Sequence, residues 1–313
     1  MPFNSVVGRD DAAPLIPEEV SREILQNVQD TSATLRFFRH VNMGSQQQRM
    51  PVLAALPTAY FVSGDTGVKQ TTEQSWKNKF LNAEEIACIV PVPEAVLDDS
   101  DYDIWGEVRP LVEQAIGRTL DAAVFFGTNK PASWPTNIVA AAVAAGNTYT
   151  RGTNAAAAGG IAEDVNQVMA LAEADGYDIS GHVTRRTYRA KLRSARDSTG
   201  QKLLDVGMEA QSIDGAPVFY AMPGMWASGT GAAELITGDW SQGLVGIRQD
   251  ITWKLLDQAV ITDGSGVIQY NLAQQDMVAM RVVARFAFEV PNPINYDQPT
   301  EASRYPFSVL VSP

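Results

Sequence analysis

One cysteine (Cys88) and two histidines (His40 and His182) are spread over 313 residues. No intrachain disulfide can form, and a zinc site built from Cys and His clusters is excluded. Positive charge is also scarce. The 24 Lys and Arg face 36 Asp and Glu, a net of −12, which argues against a non-specific nucleic-acid binder. Long apolar runs are missing too. The longest Ala/Val-rich stretch, Ile138–Ala145, is far short of the roughly 20 residues that span a bilayer. Met1–Asp10 has no apolar segment behind a basic start, so no secretory signal is visible. These absences lead to the expectation of a soluble, intracellular chain without membrane contact.

Catalytic and cofactor motifs are absent as well. No GxxxxGK[ST] phosphate loop and no GxSxG elbow occur. Gly229-Thr230-Gly231-Ala232-Ala233-Glu234 imitates a dinucleotide loop, but its last position is Glu where Gly or Ala is needed. Asp99-Ser100-Asp101-Tyr102-Asp103 imitates a calcium loop, but Ile104 replaces the turn glycine and Pro110 the final Glu. Neither histidine has a partner at ligand spacing, and packing is the simpler role for both. No catalytic residue, cofactor or metal is expected. An enzyme with an unobvious carboxylate site is the alternative from another class.

What is present is a 45% hydrophobic chain, long enough for one large domain or two medium ones. Pro17-Glu18-Glu19 opens a short helix with an apolar stripe through Val20, Ile24, Leu25 and Val28. Arg49–Val62 and Trp76–Pro93 read as two extended arms around the turn-like residues 63–72. Such a long two-stranded hairpin is marginal alone, so it is expected to lie on another surface, such as a neighbouring subunit. Ile104–Val124 has helical spacing after a run of acids, and Gly127 ends it. Pro110 either kinks this helix or sits in the first turn of one that begins at Arg109. Residues 128–160, rich in Ala, Gly, Asn and Thr, look like a surface connection.

Further on, a helix is expected at Ile161–Ala174, a strand at His182–Thr184 and a helix at Thr187–Ser194, followed by a turn at Asp197–Gly200. Strands are expected at Val218–Ala221, Leu235–Gly238, Leu244–Arg248, Ile251–Leu255 and 277–290. The irregular interleaving indicates an α+β fold rather than a doubly wound sheet. One charge feature stands out between His182 and Lys202. Arg185, Arg186, Arg189, Lys191, Arg193, Arg196 and Lys202 face only Asp197, a net of +6, so the remaining residues carry −18. Such a segment suits an acidic neighbouring subunit, or DNA, or is a solvated face. Only one aromatic residue, Tyr188, is interleaved, which is no row of platforms for stacking on bases.

The order of these pieces resembles the major capsid protein of tailed bacteriophages, with the Hong Kong 97-type fold. Leu15-Ile16-Pro17-Glu18-Glu19 with Ile24-Leu25 resembles that family's N-terminal arm. Residues 46–80 resemble its extended loop, Leu97-Asp98-Asp99-Ser100 the start of its spine helix, and Phe126-Gly127 that helix's end. Arg193–Leu204, Ile213-Asp214-Gly215-Ala216-Pro217-Val218, Thr237-Gly238-Asp239-Trp240 and Gln274–Arg281 resemble segments further downstream.

The resemblance implies an arm with a short helix at 1–45 and a β-hairpin loop at 46–80. It implies a peripheral domain with the spine helix at 81–130 and 269–313, and an axial domain at 131–268. It also implies a shell of hexamers and pentamers around double-stranded DNA, assembled in the host cytoplasm, with a portal protein and scaffolding or decoration proteins as partners. The rival within the fold is an encapsulin-type nanocompartment shell. Candidate contacts between subunits are Lys69, Trp76, Arg185, Arg186, Arg189, Arg193 and Arg196. Some relatives weld a loop Lys to an Asn near the last strand. Here Lys69, Lys77 and Lys79 face Gln274, Gln275 and Asp276, so no cross-link is expected. The family often carries a long N-terminal scaffolding segment, whereas this chain begins almost at the arm, so the expectation is that the segment is cleaved, is a separate protein or is not used, with the start at Met1 disfavouring cleavage.

Overall fold

A computed structural model describes residues 32–62, 67–98, 104–155, 158–196, 201, 212–221, 224–227 and 229–313. The expected helix at 17–28 and the turn at 197–200 lie outside them. In chain order the elements begin with α1 (Ala33–Phe37), β1 (Arg39–Asn42), β2 (Gln47–Ala55), β3 (Ser75–Asn82), β4 (Glu84–Pro93), α2 (Glu94–Leu97) and α3 (Ile104–Asp121). Next come α4 (Ile138–Ala145), β5 (Thr148–Thr150), α5 (Gly160–Ala174), β6 (Gly181–Arg185), α6 (Tyr188–Ser194), β7 (Ser212–Ile213) and β8 (Ala216–Ala221). The last are β9 (Ala233–Gly238), β10 (Leu244–Leu256), β11 (Val260–Thr262), β12 (Ile268–Asn271), β13 (Met277–Glu289) and β14 (Phe307–Val311).

A four-stranded sheet has the order β1-β10-β13-β4, and a six-stranded sheet the order β5-β14-β9-β6-β8-β7. Two hairpins, β2-β3 and β11-β12, stand outside both sheets. α3, α4 and residues of both sheets share the main apolar core, and α5 and α6 cover a second cluster on the six-stranded sheet, the α+β arrangement expected.

Phe38 sits at the centre of that core. Its ring lies 5.7 Å from Trp240, 5.9 Å from Phe288, 6.1 Å from Phe307 and 6.4 Å from Phe125. Phe288 belongs to β13, Phe307 to β14, and Phe125 to the π-helical turn Ala122–Phe126 that finishes α3. Both sheets and the long helix therefore meet on one side chain. Gly243 permits it: a Cβ there would stand 2.5 Å from the Phe38 ring. Asp121 fixes the approach of α1. It accepts from Ser32 Oγ at 2.7 Å, Ala33 N at 2.9 Å and Thr34 N at 3.0 Å. Burial pushes its carboxyl up, and these hydrogen bonds oppose the shift.

Several expectations change. The return arm Trp76–Pro93 is two strands, β3 and β4, in different sheets. The inward parity flips between them: Leu81 and Ala83 are buried on odd positions, whereas Ile86, Cys88, Val90 and Val92 pack inward on even ones. Residues 128–160 are no mere connection, since they hold α4 and β5. Asn137 caps α4 by accepting from Ala140 N, and Ile138 and Ala142 are buried. Alanine, read as a loop signal, is the strongest helix former.

Pro110 lies inside α3, which already runs from Ile104, so a start at Arg109 is excluded. Gly127 does end the helical stretch, in the left-handed region at φ 73°. The strands expected at 244–248 and 251–255 are one strand, β10, with register shifts around Gln249. Hydrogen bonding also departs from the expected cut at 269. β10 pairs with β13, and β14 pairs with β9 and β5 in the six-stranded sheet.

Replacing Phe38 with Ala removes the ring that all these elements share. The variant is expected to lose about 3–5 kcal/mol of stability in urea unfolding of the soluble subunit. A loss below about 1 kcal/mol would mean that the elements hold together without this junction.

Candidate assembly surfaces

The loop formed by β2 and β3 projects from the body as a lone antiparallel pair, from Gln47 opposite Asn82 to Ala55 opposite Ser75. Its root is tied down. Trp134 Nε1 donates to Asn82 O at 3.0 Å, and Asn82 Nδ2 donates to Ser133 O at 3.0 Å. Met43, Leu81, Ala83 and Ala287 form a small core beneath it.

Beyond the root the loop has little cover. Phe61 is 104% exposed, Val68 85% and Trp76 63%, and Tyr60, Val62 and Phe80 are exposed as well. Each large apolar side chain left in water forgoes about 1.5–3 kcal/mol that burial would supply. Of the expected contacts, Lys69 and Trp76 are both exposed here. The apolar run Tyr60-Phe61-Val62, expected in the extended arm Arg49–Val62, lies beyond the end of β2 at Ala55. Nothing in the sequence marks which strands gain a covering layer.

The basic segment is divided by the structure. Its centre is Glu234 in β9, only 1% exposed, which binds Arg151 at 2.6 Å, Arg185 at 2.9 Å and Lys191 at 2.6 Å. Burial pushes the Glu234 carboxyl up, but hydrogen bonds and charge from Lys191 and Arg151 outweigh it, and the group lies below its ordinary range. Arg185 therefore has a task within its own chain, neutralising a buried acid. Arg189 lies 5.4 Å from the ring of Tyr220. Arg186, Arg193 and Arg196 are exposed, and Arg196 caps the end of α6 by donating to Arg193 O at 2.8 Å. Lys202 lies outside the described residues.

Glu234 was the residue that spoiled the dinucleotide-like loop, and its acid is the anchor of this cluster. His182 is fully buried in β6, where burial holds its imidazole down to about 4, so it is neutral at pH 7. His40 Nε2 sits 2.7 Å from Leu35 O. No group of three or more His, Cys, Asp or Glu among the described residues could hold a metal ion. No helix among them is long and apolar enough to cross a membrane.

The loop lysines also have partners within the chain. Lys77 reaches Glu301 at 2.7 Å and Lys79 reaches it at 3.6 Å. Glu289, at the end of β13, lies behind Lys79. Its burial pushes its carboxyl up to about 7, and the charge of Lys79 and a backbone hydrogen bond from Val290 oppose the shift only in part.

Two sheets joined through one aromatic core, a long helix packed on them and a bare two-stranded loop define the Hong Kong 97-type capsid fold. Comparisons with known proteins agree with it. The model of the phage capsid family matches residues 12–294. The chain is 26% identical over 279 residues to the major capsid protein of Staphylococcus phage 80alpha, covering 87% of this chain and 80% of that protein. A solved structure from Microbacterium phage Oxtober96 superposes with a TM-score of 0.80 at 38% identity, covering 98% of this chain and 96% of the other. One from Mycobacterium phage Cain gives a TM-score of 0.80 at 36% identity, with 90% of each chain covered.

The chain belongs to the phage capsid family. Its function is that of a major capsid protein, a structural component of a tailed-phage virion that assembles with further copies of itself. These relatives are phage proteins, which favours the phage head over the nanocompartment reading.

Glu289 gives a test of how the loop root is built. Its ordinary value is 4.5 and its folded value about 7. Protonation therefore favours the folded state, and that stability is lost as pH rises from the ordinary value through the folded one. Glu289→Gln is expected to be more stable than the parent by about 2 kcal/mol at roughly pH 8, with no advantage at roughly pH 4. Urea unfolding at the two pH values checks this. An equal difference at both would contradict the buried, charge-penalised position.

Proposed function

We propose that copies of this chain close into an icosahedral shell of hexamers and pentamers around double-stranded DNA. The observation that carries this reading is the loop: a two-stranded arm with Phe61, Val68 and Trp76 bare to solvent. A pair of strands without its own core is marginal alone and becomes stable when laid on a neighbour. A closed shell needs heterologous contacts whose rotations close. Simultaneous engagement of several modest contacts then makes the assembled state much tighter than any one of them.

Lys69 and Trp76 fall on the arm that reaches over the adjacent subunit. Arg186, Arg193 and Arg196 present positive charge on a chain of net −12, which suits an acidic patch of the next copy and helps set register. Arg185 and Arg189 support that face from within the chain. The six-stranded part, which holds most of 131–268, occupies the capsomer centre as the axial domain, and the four-stranded part with α3 forms the peripheral domain. DNA is enclosed without sequence-specific contacts. A portal protein, and scaffolding or decoration proteins, complete the particle, which assembles in the host cytoplasm.

Deleting residues 63–72 removes the tip of the arm and leaves both sheets whole. The variant is expected to remain a soluble, folded subunit and to lose at least tenfold in yield of closed particles seen by negative-stain microscopy. Normal shells from the variant would refute the loop's role.

A further inference from the structure

Residues 291–304, between β13 and β14, touch the loop on one side and the six-stranded body on the other. On the loop side, the Glu301 carboxylate takes Lys77 on one oxygen at 2.7 Å and Lys79 on the other at 3.6 Å. Ile294 N donates to Leu53 O at 3.3 Å, and Tyr296 Oη donates to Pro57 O at 3.1 Å. β2, β3 and the segment leading to the loop tip are thus all held. On the body side, Asn295 Nδ2 donates to Asp175 O at 2.6 Å, and Tyr177 Oη donates to Asn292 Oδ1 at 3.0 Å. Both residues lie just past the end of α5.

The segment between these ends is stiff. Pro291, Pro293 and Pro299 each fix a backbone dihedral. Arg304, 2% exposed, donates to Asn292 Oδ1 at 3.1 Å, Asn292 O at 3.2 Å and Gln298 O at 2.5 Å. Asn292 Nδ2 returns a bond to Arg304 O at 2.7 Å. At the body end the fit depends on a glycine. Gly176 sits at φ 80°, and a Cβ there would stand 2.6 Å from Asp297 Oδ2 and 3.0 Å from Asn295 Nδ2.

We propose that residues 291–304 are a strut that sets the direction in which the loop leaves the body, with Glu301 as the positioning residue at the loop end. This rests on the reading that the loop engages a neighbouring subunit. Glu301, Lys77 and Tyr296 are all solvent-accessible, and exposed ion pairs of this kind are individually weak. The strut therefore biases the loop without locking it, so that the direction can adjust when the neighbour arrives. It also ties the loop to the end of α5, so displacement of the axial part moves the loop.

Amide hydrogen exchange on the soluble subunit tests the strut without any assembly step. Glu301→Gln is expected to speed exchange in β2 and β3 roughly two- to fivefold, with β9 and β13 unchanged. Lys77→Gln is expected to show most of the same effect, and combining it with Glu301→Gln to add nothing beyond Glu301→Gln alone, because both remove the same ion pair. Gly176→Ala, at the opposite end of the strut, is expected to speed loop exchange as well. Unchanged loop exchange in Glu301→Gln would overturn the proposal. So would equal acceleration in the sheets, which is plain destabilisation, or a Gly176→Ala effect confined to the end of α5. A loop deletion that still forms shells would instead defeat the assembly reading and leave this exchange result standing.

Discussion

Everything in this subunit hangs on the aromatic contact made by Phe38. It follows α1 directly, and α1 is placed by three hydrogen bonds to the buried carboxyl of Asp121 at the end of α3. Phe38 thereby meets Trp240, Phe288, Phe307 and Phe125 together. Aromatic pairs gain from geometry beyond the area they bury, and here one ring serves two sheets and a helix. Without that contact the four-stranded and six-stranded sheets would share much less of their core. The loop and the strut would then have no fixed frame from which to project.

From that frame outward, the chemistry changes from apolar packing to weak polar ties. The body is built around a well-buried aromatic and aliphatic core, and the buried acid Glu234 is matched by three cations. The loop is held at its root by hydrogen bonds and ion pairs and leaves Phe61 and Val68 open. This gradient suits a shell subunit. A rigid body keeps its shape through assembly, and a weakly held arm can settle on the next copy. Each such contact is modest, and closure makes them cooperative. The near absence of histidine and cysteine fits the same account, since a structural subunit calls for little acid–base or thiol chemistry.

Much of the fold was legible because its signals are local. The spacing of Ile104–Val124 and Ile161–Ala174 and the stop at Gly127 all depend on near neighbours. The failures depend on distant ones. Leu81 and Ala83 face inward because a small core with Met43 and Ala287 waits there, and no pattern within 76–93 announces the flip. β14 is placed by its partners β9 and β5, and nothing in Phe307–Val311 names them. The basic segment was plain in sequence, but Glu234, which takes up Arg185 and Lys191, stands 43 to 49 residues away. Glu301 was equally silent, because its meaning comes only from Lys77 and Lys79 across the strut.

The central claim is that the loop, rather than the body, bridges one subunit to the next. Cryo-electron microscopy of particles built from this chain tests it most directly. The account predicts that residues 47–82 lie across an adjacent copy, with Phe61, Val68 and Trp76 covered by it. A reconstruction in which the loop rests only on its own subunit, with those side chains still in solvent, would contradict it.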